Sequence, residues 1–136
     1  MQITDMRGSS KLIYGDLTYQ LNGIFFTVHN ELGRYRNEQQ YGDAIEQHLK
    51  HFSIPYQREI VLPQSFVGER NGRSKADFLI ADKLIVEVKA KRILEKTDYF
   101  QTQRYLAACG KKLAILVNFR EKFLKPKRIL NASARE

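Results

Sequence analysis

The chain has 136 residues, 43% hydrophobic and 28% charged, which fits one globular domain and excludes a disordered polymer. Its net charge of +8 favours an anionic partner, nucleic acid first, over a basic surface with no partner. A single cysteine, Cys109, excludes a disulfide framework and a thiolate metal cluster. No apolar run approaches the roughly 20 residues that span a bilayer. Met1 to Ser10 is polar and lacks a signal-peptide core, so a cytoplasmic setting is expected.

Residues 1–16 read as a lead-in, broken by Gly8-Ser9-Ser10 and Gly15-Asp16. A first helix is expected over 17–32, where Leu17, Leu21, Ile24, Phe25, Val28 and Leu32 make one apolar stripe and Gly33 stops it. His29 beside that stripe is read as bonding a backbone group, because no second histidine lies one turn on. A second helix is expected over 38–52, capped by Asn37. Its face carries Glu38, Tyr41, Ile45 and Leu49; on spacing alone Glu38 reads first as a dipole-stabilising first-turn acid. His48 and His51 read as surface residues at the helix end. Residues 54–63, bounded by prolines, suit an edge strand. Asn71-Gly72 marks a turn. Two short strands joined by a tight turn follow over Lys75–Lys89. A third helix begins near Thr97 as N-cap and ends at Gly110. Residues 112–119 form an apolar strand, and the basic segment 122–130 holds one more short strand. Residues 132–136 are a tail. The order α-α-β-β-β-α-β(-β) predicts an α/β or α+β sheet flanked by helices, one domain over 17–131.

Charge falls where a strand should be apolar. Ile85, Glu87, Lys89 and Lys91 face one way and Leu84, Val86 and Val88 the other. A three-residue loop, Ala81-Asp82-Lys83, sets Ile80 opposite Leu84 and Asp77 opposite Glu87, about 5 Å apart at Cβ. A two-residue loop would move Asp77 to the other face. Two carboxylates that close repel unless a divalent cation lies between them, and hard oxygen ligands suit Mg²⁺ or Mn²⁺. Lys89, two residues on, could orient or deprotonate a water or stabilise charge on a phosphate. Basic flanks, Arg70, Arg73, Lys75, Lys91, Arg92 and Lys96, could form a groove for a nucleic-acid backbone. Arg73, Lys75, Lys91 and Arg92, with Tyr41, are the expected nucleic-acid contacts. The bland alternative is a Glu–Lys pair at a solvated sheet edge.

Asp77 with Glu87-Val88-Lys89 on a hairpin resembles the active-site signature of the PD-(D/E)XK nuclease superfamily. Val28-His-Asn-Glu-Leu-Gly33 followed by Glu38-Gln-Gln-Tyr41-Gly-Asp-Ala44 resembles the pattern that names its GxxExxY proteins, and Gln101, Tyr105-Leu106, Gly110 and Leu113 to Phe119 match downstream. Where that group usually reads Gly-Pro-Gly, this chain has Gly33-Arg34-Tyr35. The resemblance implies a restriction-endonuclease-like core with a mixed central sheet. It implies that Asp77, Glu87 and the Val88 carbonyl bind the metal, that Glu38 adds a carboxylate, that Lys89 handles the water, and that Gln101 orients the lysine or a phosphate. The function expected is a Mg²⁺- or Mn²⁺-dependent nuclease, with DNA favoured over RNA. The alternatives are a non-catalytic nucleic-acid-binding module and an accessory protein working through a partner. The small size points to a homodimer or protein partner as the source of specificity.

Overall fold

The computed structural model describes residues 12–64, 66–72 and 74–133. The expectations for residues 1–11, Arg73 and 134–136 lie outside the described residues. Helix α1 (Gly15–Leu32) and helix α2 (Glu38–His51) precede β1 (Tyr56–Val61), β2 (Lys75–Ile80) and β3 (Leu84–Lys89); α3 (Lys96–Cys109), β4 (Leu113–Asn118) and β5 (Lys127–Leu130) follow. The five strands form one sheet in the order β1-β2-β3-β4-β5. Only β3 and β4 run parallel, because α3 carries the chain from the end of one to the start of the other. The other neighbours are antiparallel.

The sheet is covered on both faces. On one, Leu21, Phe25 and Val28 of α1 and Tyr41, Ile45 and Leu49 of α2 pack on Phe78, Ile80, Leu84, Val86, Val88, Ile115 and Val117. On the other, Leu106 of α3 packs on Leu79, Ile85, Ala114 and Leu116. Strand β4 is buried at all six positions, which is why its sequence reads as a continuous apolar run rather than an alternation. Strand β3 is the third of five, so its charges do not lie at a solvated edge. Among the described residues no helix is long and apolar enough to cross a membrane.

Several boundaries move. Helix α1 starts at Gly15 rather than Leu17. Strand β1 shortens to Tyr56–Val61, lying at the expected edge. Helix α3 is preceded by Glu95, not Thr97, because the Asp98 carboxylate accepts the Glu95 N–H at 2.8 Å. Asn37 caps α2 as expected: its side chain accepts from Gln40 N, and the Gln40 side chain accepts from Asn37 N. At the other end of α1, Gly33 adopts φ 75°, a left-handed backbone that glycine takes without strain.

Candidate active site

The β2–β3 turn sets the site. Ala81 and Asp82 both have positive φ, 52° and 55°, and Lys83 N donates to Ile80 O at 2.9 Å. The primed geometry matches the twist of the flanking strands, and Lys83 is left out of the ladder, so the loop is three residues long. Ile80 therefore pairs with Leu84, Leu79 with Ile85 and Phe78 with Val86. Beyond Val86 the ladder is replaced by side chains. Asp77 N donates to Glu87 Oε2 at 3.1 Å, and Val88 N donates to Asp77 Oδ2 at 2.7 Å. The two acids meet, but not on one face in simple alternation. Phe78 and Ile80 pack toward α1 and α2, whereas Ala76 packs toward α3 with Leu79. Across the pair, Arg58 lies over the Phe78 ring while Ile60 packs toward α3, and Glu59 between them has φ 53°. Both strands rotate at Glu59 and Asp77, which stand opposite each other. Asp77 thus lies at the twist, with its carboxyl along the strand toward Val88 N.

Glu87 is 3% exposed. Burial, then the Asp77 carboxylate beside it, push its carboxyl up to about 8. Burial also raises Asp77, with the Glu38 and Glu59 charges adding to the effect against the Val88 N–H and Lys89. The field of the pair extends to Tyr105 of α3, whose phenol is raised by burial and then by Glu87 and Asp77. Lys89 Nζ donates to Gln101 Oε1 at 3.1 Å and stands 3.9 Å from Asp98 Oδ1. Helix α3 therefore fixes the lysine that β3 presents. Glu38, at the start of α2, accepts the Ala90 N–H at 3.1 Å, so it reaches the residue next to Lys89 from 52 positions away. The structure brings Asp77, Glu87, Lys89, Glu38 and Gln101 to one end of the sheet, at the carboxyl ends of the parallel pair β3 and β4.

Two openings meet at Glu38. A cavity of about 50 Å³ is lined by Glu38, Gln39, Gly42, Arg58, Glu59, Asp77, Phe78 and Val88. It is too small for a nucleotide and large enough for an ion or a water molecule. A cleft of about 520 Å³ is lined by Tyr35, Arg36, Asn37, Glu38, Gln39, Ala90 and Arg120. Asp77, Glu87 and Val88 fit a hard divalent cation by their chemistry: two buried acids pushed upward, with Lys89 the one cation among the causes acting on both. Among the described residues no three histidines, cysteines or acids converge closely enough to grip an ion as they stand. Asp77 and Glu87 are each tied to a backbone N–H instead.

The expected nucleic-acid contacts divide. Lys75 and Arg92 are exposed. Lys91 is engaged by Asp98 at 2.9 Å and Glu95 at 3.2 Å, so its charge serves the start of α3 first. Tyr41 is a correction. It is 0% exposed, stacks on Phe119 with ring centroids 4.4 Å apart, and donates from its hydroxyl to Gly33 O at 2.6 Å. A side chain so enclosed anchors the loop 33–36 and does not reach a nucleic acid. His29 behaves as expected, with Nε2 2.8 Å from Glu121 O. His48, read as a surface residue, is half-buried against Glu31.

Several residues escaped the sequence reading. Asn118 accepts Lys91 N and donates to Lys91 O, pinning the chain after β3 to the end of β4. Asp98 gathers Lys91, Glu95 N and Lys89; burial opposes its charge, but the Glu95 N–H and Lys91 outweigh it and hold it below its usual range. Arg58 binds Asp43 and Glu46 of α2 from beneath the cavity. The available signal for Asn118 was a lone polar residue closing an apolar run; the other two lie in ordinary charged stretches.

A mixed five-stranded sheet between helix layers, with two acids and a lysine where a bent hairpin opens, defines a restriction-endonuclease-like domain. A model of the PD-(D/E)XK nuclease superfamily matches residues 15–129, and the chain belongs to that superfamily. Among solved structures, the chain is similar to the crystal structure of SSO0001, at 22% identity and a TM-score of 0.53, covering 68% of this chain and 48% of that one. The chain thus spans about half the length of that neighbour, and the likeness is one of fold. It is also similar to an alkaline exonuclease, LHK-Exo, from Laribacter hongkongensis, at 12% identity and a TM-score of 0.48, covering 87% of this chain and 70% of that one. No curated protein matches the sequence.

Proposed function

We propose that this chain is a divalent-metal-dependent nuclease that hydrolyses phosphodiester bonds of DNA, within the GxxExxY group of its superfamily. The observation that carries the reading is the crossed pair Asp77–Glu87, buried beside Lys89 at the carboxyl ends of β3 and β4. Asp77 and Glu87 would hold Mg²⁺ or Mn²⁺, with the Val88 carbonyl and Glu38 completing the set. Such an ion, when bound, supplies Lewis-acid polarisation of the phosphate and a more acidic water. Lys89, held by Gln101, places its ammonium where it can hold the attacking water or stabilise charge on the phosphate. The exposed Lys75 and Arg92, with Arg73, would hold the backbone. The proposed domain is 17–131, the proposed setting cytoplasmic, and a second copy or partner would add specificity.

The test is cleavage of supercoiled plasmid and single-stranded DNA with Mn²⁺, wild type beside Lys89→Ala. Loss of cutting in the variant is expected; equal cutting by both ends the proposal. One observation favours binding without cleavage: both acids are already satisfied by backbone N–H groups. That reading predicts DNA binding indifferent to EDTA and to Asp77→Asn.

A further inference from the structure

The loop between α1 and α2 carries an arrangement that core packing does not explain. Tyr35 is 74% exposed, yet its place is set by its neighbours. Arg34 Nε donates to Arg120 O, and Arg120 Nε donates to Arg34 O, both at 2.8 Å. These reciprocal bonds tie the loop to the chain just beyond β4. The guanidinium carbons of Arg34 and Arg120 lie 5.2 and 5.5 Å from the Tyr35 ring centroid. From below, the buried Tyr41 hydroxyl donates to Gly33 O and accepts from Arg36 N, so the loop is held at both ends of its turn. The result is an aromatic ring mostly in solvent, positioned by polar contacts, with the Arg34 and Arg120 guanidiniums over it.

The ring stands over the larger cleft, whose wall also includes Arg36, Arg120 and Glu38. Glu38 is shared with the small cavity that Asp77 and Val88 line. A ligand seated on Tyr35 therefore lies across Glu38 from the cavity that Asp77 lines. A flat ring with arginines beside it recognises a flat group attached to an anion. A nucleobase and its phosphate have that chemistry, and the cleft, about 520 Å³, has room for them. A base offers its face to such a ring only when it is unstacked from its neighbours, as in a single strand.

We infer that Tyr35, with Arg36 and Arg120, forms a stacking platform for an unpaired nucleotide at the entrance to the Asp77–Glu87 site, so that single-stranded nucleic acid is the form taken there. This rests on the nuclease reading for its purpose but not for its test. The ring supplies the base contact, and the arginines meet the flanking phosphates.

The experiment measures binding in EDTA, where cleavage is silent. A labelled 12-nucleotide single strand carrying 2-aminopurine and a blunt duplex of the same sequence are titrated with wild type, Tyr35→Phe, Tyr35→Ala and Arg36→Gln. Wild type should prefer the single strand and quench 2-aminopurine. Tyr35→Ala should weaken single-strand binding about tenfold and lose the quench, as one stacked base allows. It should leave duplex binding and the salt slope unchanged. Tyr35→Phe should retain both signals, and Arg36→Gln should lower the salt slope by about 0.7. Circular dichroism melts show that each variant is folded. Equal binding by wild type and Tyr35→Ala overturns the inference, as does an equal loss on both ligands or no binding by wild type. Failure of metal-dependent cutting with the stacking signals intact would instead sink the nuclease reading alone.

Discussion

The hairpin mouth and the arginine rim lie on either side of Glu38 and are built by opposite means. At the mouth, charge is taken out of water: Glu87 is almost wholly enclosed, burial pushes both acids upward, and the Asp77 carboxylate beside it raises Glu87 further. At the rim, Arg34, Tyr35, Arg36 and Arg120 remain at or near the surface, and Arg34, Tyr35 and Arg120 hold one another by backbone bonds and ring contacts. A buried acid pair is costly unless a cation joins it, so the mouth gains most from a metal. An exposed cationic rim is cheap to build and gains from a polyanion, with salt weakening it. The mouth should therefore decide rate, and the rim affinity.

The largest effect should come from breaking the mouth. Asp77→Asn removes one of the two carboxylates and should reduce Mn²⁺-dependent plasmid cutting by about a thousandfold, since a catalytic metal supplies several kcal/mol. Binding to a single strand in EDTA should change less than twofold. Comparable losses in rate and in binding would show that the two regions are not separable.

The second effect is on stability and has a definite sign. The Glu87 carboxyl is raised from 4.5 to about 8 in the folded chain. Between those pH values the folded protein keeps a proton that the unfolded chain has released, so the stabilisation is complete below about 4.5 and is lost as pH rises to about 8. In EDTA, urea denaturation should show stability falling by a few kcal/mol over that window. Glu87→Gln, always neutral, should flatten the profile, and Mn²⁺ should flatten it in the wild type by favouring the charged pair. A profile that rises with pH in EDTA would contradict the burial argument.

Gln101→Ala tests how the mouth is supported. Lys89 keeps its place on β3 but loses its 3.1 Å partner, leaving Asp98 at 3.9 Å to draw the ammonium away. Cutting should fall about tenfold, the effect of a supporting contact on a functional group. Melting temperature should hardly move. An unchanged rate would mean that Asp98 alone positions the lysine.

The difference between the regions also explains what could be read from sequence. Asp77 and Glu87 were legible because a three-residue turn between apolar strands fixes which residues oppose, and Ile80 does pair with Leu84. Helix ends at Gly33 and Asn37 were legible for the same local reason. Tyr41 misled because its stripe position is equally consistent with a buried anchor and a site residue; its partner, the Phe119 ring, is supplied by β4's end. Asn118 and the Arg34–Arg120 exchange are polar contacts between distant segments, which leave no periodicity behind, and Asp98 is a local cap in an ordinary charged stretch. The rotation at Glu59 and Asp77, which moves the acid off the expected face, reflects two strands twisting together.

The smallest effect lies at Gly42, under the cavity between the two regions. A Cβ there would fall 2.5 Å from Arg58 Nη2. That guanidinium is held by Asp43 at 2.7 Å and Glu46 at 2.9 Å. In a helix interior, glycine to alanine alone gains about 1 kcal/mol. Displacing Arg58 from its two acids should consume about that much, so Gly42→Ala should leave stability within about 0.5 kcal/mol of wild type. In an Arg58→Met background the flexible thioether can yield, and the same substitution should stabilise by about 1 kcal/mol. The coupling between the two changes, read by urea denaturation, measures how firmly Arg58 is fixed at the floor beneath Asp77. If Gly42→Ala gains about 1 kcal/mol in both backgrounds, the guanidinium moves freely and the cavity is soft. If it costs more than that in the wild type alone, the floor is rigid and the acid pair above it is held by α2 as well as by the hairpin.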